Sequence, residues 1–146
     1  TSAAINLFTG SGTPAFNKDD MIVSPLILMG SGGSLTFKVA ITDYTLATAD
    51  NMGSDDTFKV IVLTNCGTTQ TTLLTINTTN APDNTINDNT KTVDLSAYNG
   101  QIIQIAFVAS SGTVADTQDY DFHLDDINIT GVVVGAFTVN LGADQN

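Results

Sequence analysis

Large apolar residues recur at period two along this chain, and that rhythm limits its fold more than any other feature. Leu35, Phe37, Val39 and Ile41 alternate with Thr36, Lys38 and Ala40. Phe58, Val60 and Val62 repeat the pattern, with Thr57, Lys59, Ile61 and Leu63 on the other face. Ile103, Ile105 and Phe107 share a face of a third run. Successive side chains of a strand point to opposite sides, so each run presents one apolar face to a core. In a fourth run, Phe122 and Leu124 are followed by Ile127 and Ile129, a parity change at Asp125-Asp126 that predicts a β-bulge. Met21-Ile22-Val23 and Val132 to Val139 read as further strands.

Turn chemistry separates the runs. Gly30 to Ser34 and Ala49 to Ser54 read as loops, and Asn65-Cys66-Gly67 as a hairpin turn, since Asn and Gly tolerate positive φ. Asn80 to Asn89, with Pro82, is a long connection, and Tyr98-Asn99-Gly100 closes another turn. Only Leu95 to Tyr98 suggests a helical turn. About eight strands in one domain predict an all-β antiparallel β-sandwich of the jelly-roll kind. The 146 residues suit a single module, 1–146, with 142–146 as linker. Thr68 to Thr79 is rich in Thr at irregular spacing, as suits a solvated strand face.

Charge excludes several function classes. All 15 acidic residues are Asp, the basic residues are Lys18, Lys38, Lys59 and Lys91, and the formal net charge is −11. Such a surface repels polyanions, which argues against nucleic acid and anionic membrane as partners. No apolar run is long enough to span a bilayer as a helix. The single cysteine, Cys66, rules out a disulfide within the chain and cysteine-based zinc clusters. Thr1 is not a start Met, which suggests a piece of a longer protein, tethered to other domains.

Asp without Glu also points to chemistry. Asp favours turns and metal loops, and calcium takes six to eight hard oxygens from carboxylates and carbonyls. The candidate ligands are Asp55 and Asp56 before one strand, Asp125 and Asp126 at the expected bulge, and Asp20 in the loop Asn17-Lys18-Asp19-Asp20. Neighbouring strand residues face opposite ways, so either pair reaches one ion only through irregular backbone. The competing reading makes these residues solubilising guards at strand ends. EF-hand spacing is missing.

Catalysis finds little support. His123 is the only histidine and sits within a predicted strand, where a structural role is expected. The Asp pairs lie in no evident apolar cleft, and the Gly30 to Gly33 run lacks the Lys and helix of a phosphate loop. Sugar binding uses aromatic faces beside placed polar groups; Tyr44 and Tyr120 flank loops and are the candidate ligand-binding residues, whereas Tyr98 reads as structural.

Three stretches together resemble a known family. They are Met21-Ile22-Val23-Ser24-Pro25-Leu26-Ile27, then Gly53-Ser54-Asp55-Asp56-Thr57-Phe58 running on to Cys66-Gly67, then Val93-Asp94-Leu95-Ser96-Ala97-Tyr98-Asn99-Gly100-Gln101 with the later Phe122-His123-Leu124-Asp125-Asp126-Ile127. Over about residues 20–130 the chain is similar to the cleaved-adhesin or choice-of-anchor J domains, which are MAM-like jelly rolls of secreted and cell-surface proteins of Bacteroidetes-type bacteria. The resemblance implies a calcium-stabilised jelly roll that accompanies a protease, glycosidase or adhesin. It implies a non-catalytic module, secreted or at the cell surface, that binds an extracellular polysaccharide or host surface polymer. The alternative is a calcium-stiffened spacer or protein-interaction domain of a large adhesin. The family often carries Trp near its leading strand and late in the domain; this chain has none.

Overall fold

The computed structural model describes residues 2–8, 19–46, 48–83 and 89–134. Among them run β1 Ala3–Asn6, β2 Asp19–Val23, β3 Ile27–Asp43, β4 Thr57–Thr64, β5 Thr69–Ile76, β6 Thr90–Asp94, a 3-10 turn Ser96–Tyr98, β7 Ile102–Ser110 and β8 Tyr120–Val132. The chain is all-β and every strand pairing is antiparallel. The pairing is nested: β1 with β8, β2 with β7, β3 with β6 and β4 with β5. β8 also pairs β3, and β7 pairs β4. One layer is therefore β1-β8-β3-β6 and the other β2-β7-β4-β5. They join into one eight-stranded network where Ile27 and Leu28 meet Ile103 and Ile102.

Period-two alternation decides which faces meet. Leu35, Phe37, Val39 and Ile41 of β3, with Phe122 and Leu124 of β8, are buried against Phe58, Val60 and Val62 of β4 and Ile103, Ile105 and Phe107 of β7. Aromatic pairs cross the space between the layers. Phe122 stacks on Phe58 with ring centroids 4.3 Å apart and 15° between planes, and Phe37 meets Phe107 edge-on at 5.3 Å. Offset-stacked and edge-on pairs each contribute about 0.5–1.5 kcal/mol beyond their burial.

The expected turns appear at Asn65 to Gly67, where φ is 51°, 55° and 83°, and at Gly100, where it is 77°. The expected bulge is also present. Thr36 faces Asn128 while Lys38 faces Asp125, so β8 carries one residue too many, and Asp126 takes a φ of 49°.

Two expectations need correction. Gly30 to Ser34 is not a loop but part of the 17-residue β3. Five steps from Met29 to Ser34 on β3 answer two from Val132 to Thr130 on β8, so the strand absorbs its glycines as a bulge. A Cβ on Gly131 would stand 2.7 Å from the backbone of Gly33, so the two chains approach this closely only without side chains. Nor does a strand begin at Val132, which closes β8 instead; residues 135–139 of that expected strand lie outside the described residues, as do residues 84–88 of the Asn80 to Asn89 connection.

Candidate cation site

The loop from β3 to β4 and the loop from β7 to β8 lie side by side, pinned by carboxylates from both. Asp55 sits in the turn before β4. Its Oδ2 accepts hydrogen bonds from the backbone N–H of Thr113 (2.7 Å) and Val114 (3.1 Å) and from the Thr113 hydroxyl (3.3 Å). Asp116 answers from the other loop, its Oδ2 accepting from the N–H of Ser54 at 2.5 Å. Asp56, next along, is 2% exposed and accepts the hydroxyl of Tyr120 at 2.6 Å.

Glycine makes room for this arrangement. A Cβ on Gly53 would stand 2.6 Å from Asp56 Oδ2 and 2.9 Å from Asp116 Oδ1. A Cβ on Gly112 would overlap the Asp55 carboxylate, and Gly112 also holds a φ of 64°. Both positions need a residue without a side chain because a carboxylate fills the space.

The electrostatics are those of crowded negative charge. Burial pushes the Asp56 carboxyl up to about 6, and the charges of Asp116 and Asp55 push in the same direction against the Tyr120 hydrogen bond. Tyr120 is itself raised, first by burial and then by Asp56. Asp55 is lowered, chiefly by the Thr113 N–H. Its other oxygen, Oδ1, is buried with no hydrogen-bond partner. A buried oxygen left so costs about 1–3 kcal/mol or more for a charged group. Asp55, Asp56 and Asp116 are the carboxylates available to a cation here. Among the described residues, no three His, Cys or Asp side chains already stand together as a metal cage.

The other expected ligands lie elsewhere. Asp125 and Asp126 are exposed at the β8 bulge, where Asp126 pairs with Lys38 Nζ at 2.8 Å and Asp125 Oδ1 accepts the Asp126 N–H. The bulge thus turns Asp126 toward a lysine, and neither residue contacts Asp55 or Asp56 in any hydrogen bond. Asp20 lies on β2 opposite Ala109. Asn17 and Lys18 lie outside the described residues.

Of the two aromatic candidates, Tyr44 is 58% exposed, just past the end of β3, and available to a ligand. Tyr120 requires correction. It is fully buried, because it shares parity with Phe122 and Leu124 and points between the layers. It orders Asp56 rather than lining a surface. Asp116 was missed by sequence reasoning. Its one signal was the Asp-rich run Asp116-Thr117-Gln118-Asp119-Tyr120-Asp121. His123 is half-buried, with Nε2 2.9 Å from the Thr42 hydroxyl and Nδ1 3.2 Å from that of Ser2.

No protein-family model matches the chain, and no curated protein matches its sequence.

Proposed function

We propose that this chain is a non-catalytic, calcium-binding module of a secreted or cell-surface protein, built like the cleaved-adhesin jelly rolls it resembles. The nested strand pairing supports the jelly-roll winding. The observation that carries the calcium reading is the buried, unpartnered Oδ1 of Asp55 beside Asp56 and Asp116. A cation there would satisfy that oxygen and offset the repulsion among the three carboxylates. Calcium suits the site because oxygen is the only ligand type on offer and its coordination is adaptable. Since the three carboxylates do not form a cage as they stand, Asp55 would take the ion first and Asp56 and Asp116 would close on it, with backbone carbonyls and water completing the shell. The ion would supply a cross-link between the two loops. The hydroxyl contacts at both nitrogens of His123 support a structural role for the only histidine.

The test is thermal unfolding in calcium against unfolding in EGTA. Native-state binding at 100 times Kd adds about 2.7 kcal/mol, so the melting temperature rises in calcium and the rise vanishes in Asp55→Asn and Asp116→Asn. Identical melting curves in both buffers would remove calcium from the account.

What the module contacts is a separate matter. Exposed Tyr44, with Leu46 also exposed nearby, favours an extracellular glycan at the tip beyond β3. The burial of Tyr120 favours the spacer or protein-interaction role. A glycan array in calcium buffer decides between them: a signal lost in Tyr44→Ala supports the glycan, and silence across host and bacterial polysaccharides supports the spacer.

A further inference from the structure

The two layers do not close on each other at the edge formed by β1 and β2. Between these strands lies a pocket of about 310 Å³. Register explains its lining. On β1, Ala3 and Ile5 stand opposite the inward-facing Leu124 and Phe122; on β2, Asp20 and Ile22 stand opposite the inward-facing Ala109 and Phe107. The inner wall is the aromatic group Phe58, Phe107 and Phe122, whose rings are within 6.0 Å of one another along the chain of contacts Phe107–Phe58–Phe122. Ala3 and Ala109 occupy positions where the rest of the core carries large side chains, which leaves the space. Ile22 stands opposite the inward-facing Phe107 and is still 54% exposed.

One group in this lining is out of place. Asp20, exposed on β2, stands opposite the inward-facing Ala109, a register position where alternation calls for an apolar side chain, and it is among the residues that line the pocket. Strand edges are commonly guarded by charge, but a guard works equally well facing outward, as the adjacent Asp19 does. An apolar, aromatic-walled cavity with one polar group is the ordinary form of a small-molecule site, and 310 Å³ falls at the lower end of the usual size. The single charge is negative and the chain as a whole carries −11, so the field selects a cation.

We infer that this edge pocket binds a small amphiphilic amine, its apolar or aromatic body against Phe58, Phe107 and Phe122 and its ammonium at Asp20. The inference does not rest on the calcium reading, and it is tested in EGTA so that no metal contributes. The probe is 4-phenylbutylamine, compared with 4-phenylbutyrate and 4-phenylbutanol, which share its body and differ in charge. Titrations followed by protein-observed NMR should give the amine at least a fivefold lower Kd than the alcohol, with the butyrate weakest. Asp20→Asn should bring amine and alcohol level while leaving alcohol binding in place. Ala109→Leu should fill the pocket and abolish binding of all three; Ala3→Leu does the same from the edge strand, where a larger side chain is accommodated should the buried variant fail to fold. Failure of the amine to bind, a butyrate as tight as the amine, or unchanged binding in folded Ala3→Leu protein would each overturn the proposal.

Discussion

Asp56 illustrates how one buried side chain carries opposing demands. Its carboxyl titrates at about 6 in the fold against an ordinary 3.8. Between those values the folded state holds a proton that the unfolded state has lost. Stability must therefore increase as pH falls from about 7 to about 4, and the gain is lost as pH rises through 6. The shift corresponds to about 1–3 kcal/mol. The prediction holds for protein in EGTA, measured by urea unfolding at a series of pH values; Asp56→Asn should flatten the profile and be the more stable form at pH 7. Calcium favours the ionised carboxylate, so the ion should reverse the slope. Below about pH 4 the trend turns, because Asp55, Asp43 and Asp94 are held below their ordinary values by hydrogen bonds and lose that stabilisation when protonated. Gly112 belongs to the same scale. Gly112→Ala places a methyl group into the Asp55 carboxylate at a positive φ, and should cost about 1–3 kcal/mol together with the calcium-dependent rise in melting temperature.

Strands contribute unequally to holding the layers together. β8 supplies Phe122, which stacks on Phe58 across the core, and Phe122→Ala should cost about 3–5 kcal/mol in denaturant unfolding. The same strand supplies Asp126, whose ion pair with Lys38 is exposed at both ends. Asp126→Asn should cost no more than about 1 kcal/mol, although the bulge that presents it changes the face of every residue that follows. β5 is an edge strand that manages its exposure by composition and geometry. Thr69, Gln70, Thr71 and Thr72 are exposed, and the register slips against β4 between Val60 and Ile61. Thr on a solvated edge and a bulge in the ladder both discourage pairing with another chain, which is the structural use of the Thr-rich stretch.

At the scale of the molecule, the excess of Asp over Lys sets the behaviour in solution. With a net charge of −11, self-repulsion opposes the compact state and is screened over about 8–10 Å at physiological salt. In EGTA the melting temperature should rise with sodium chloride from about 0.05 to 0.5 M; on the proposed calcium reading the salt effect should be smaller in calcium, because the ion would neutralise charge at Asp55, Asp56 and Asp116. A melting temperature indifferent to salt would mean that the repulsion is spread too thinly to matter.

The division between sequence and tertiary structure follows from the range of the forces involved. Period-two alternation is local, so it determined the strands, their buried faces and even the parity change at Asp125-Asp126. Positive φ is local too, so Asn65 to Gly67 and Gly100 were legible as turns. The parity that buries Tyr120 with Phe122 and Leu124 was present in the sequence, yet its position beside a loop suggested a surface. Gly30 to Ser34 has the composition of a turn, and only pairing across to β6 and β8, where glycine permits close backbone approach, keeps it in β3. The candidate cation site was half legible. Asp55 and Asp56 announce themselves as a pair, but Asp116 joins them from about sixty residues away, and no local pattern encodes which loops come to lie together. That depends on the order in which strands pair. The same pairing set Asp125 and Asp126 at the β8 bulge, with Asp126 against Lys38, and set Asp20 at the rim of an apolar pocket between the edge strands β1 and β2.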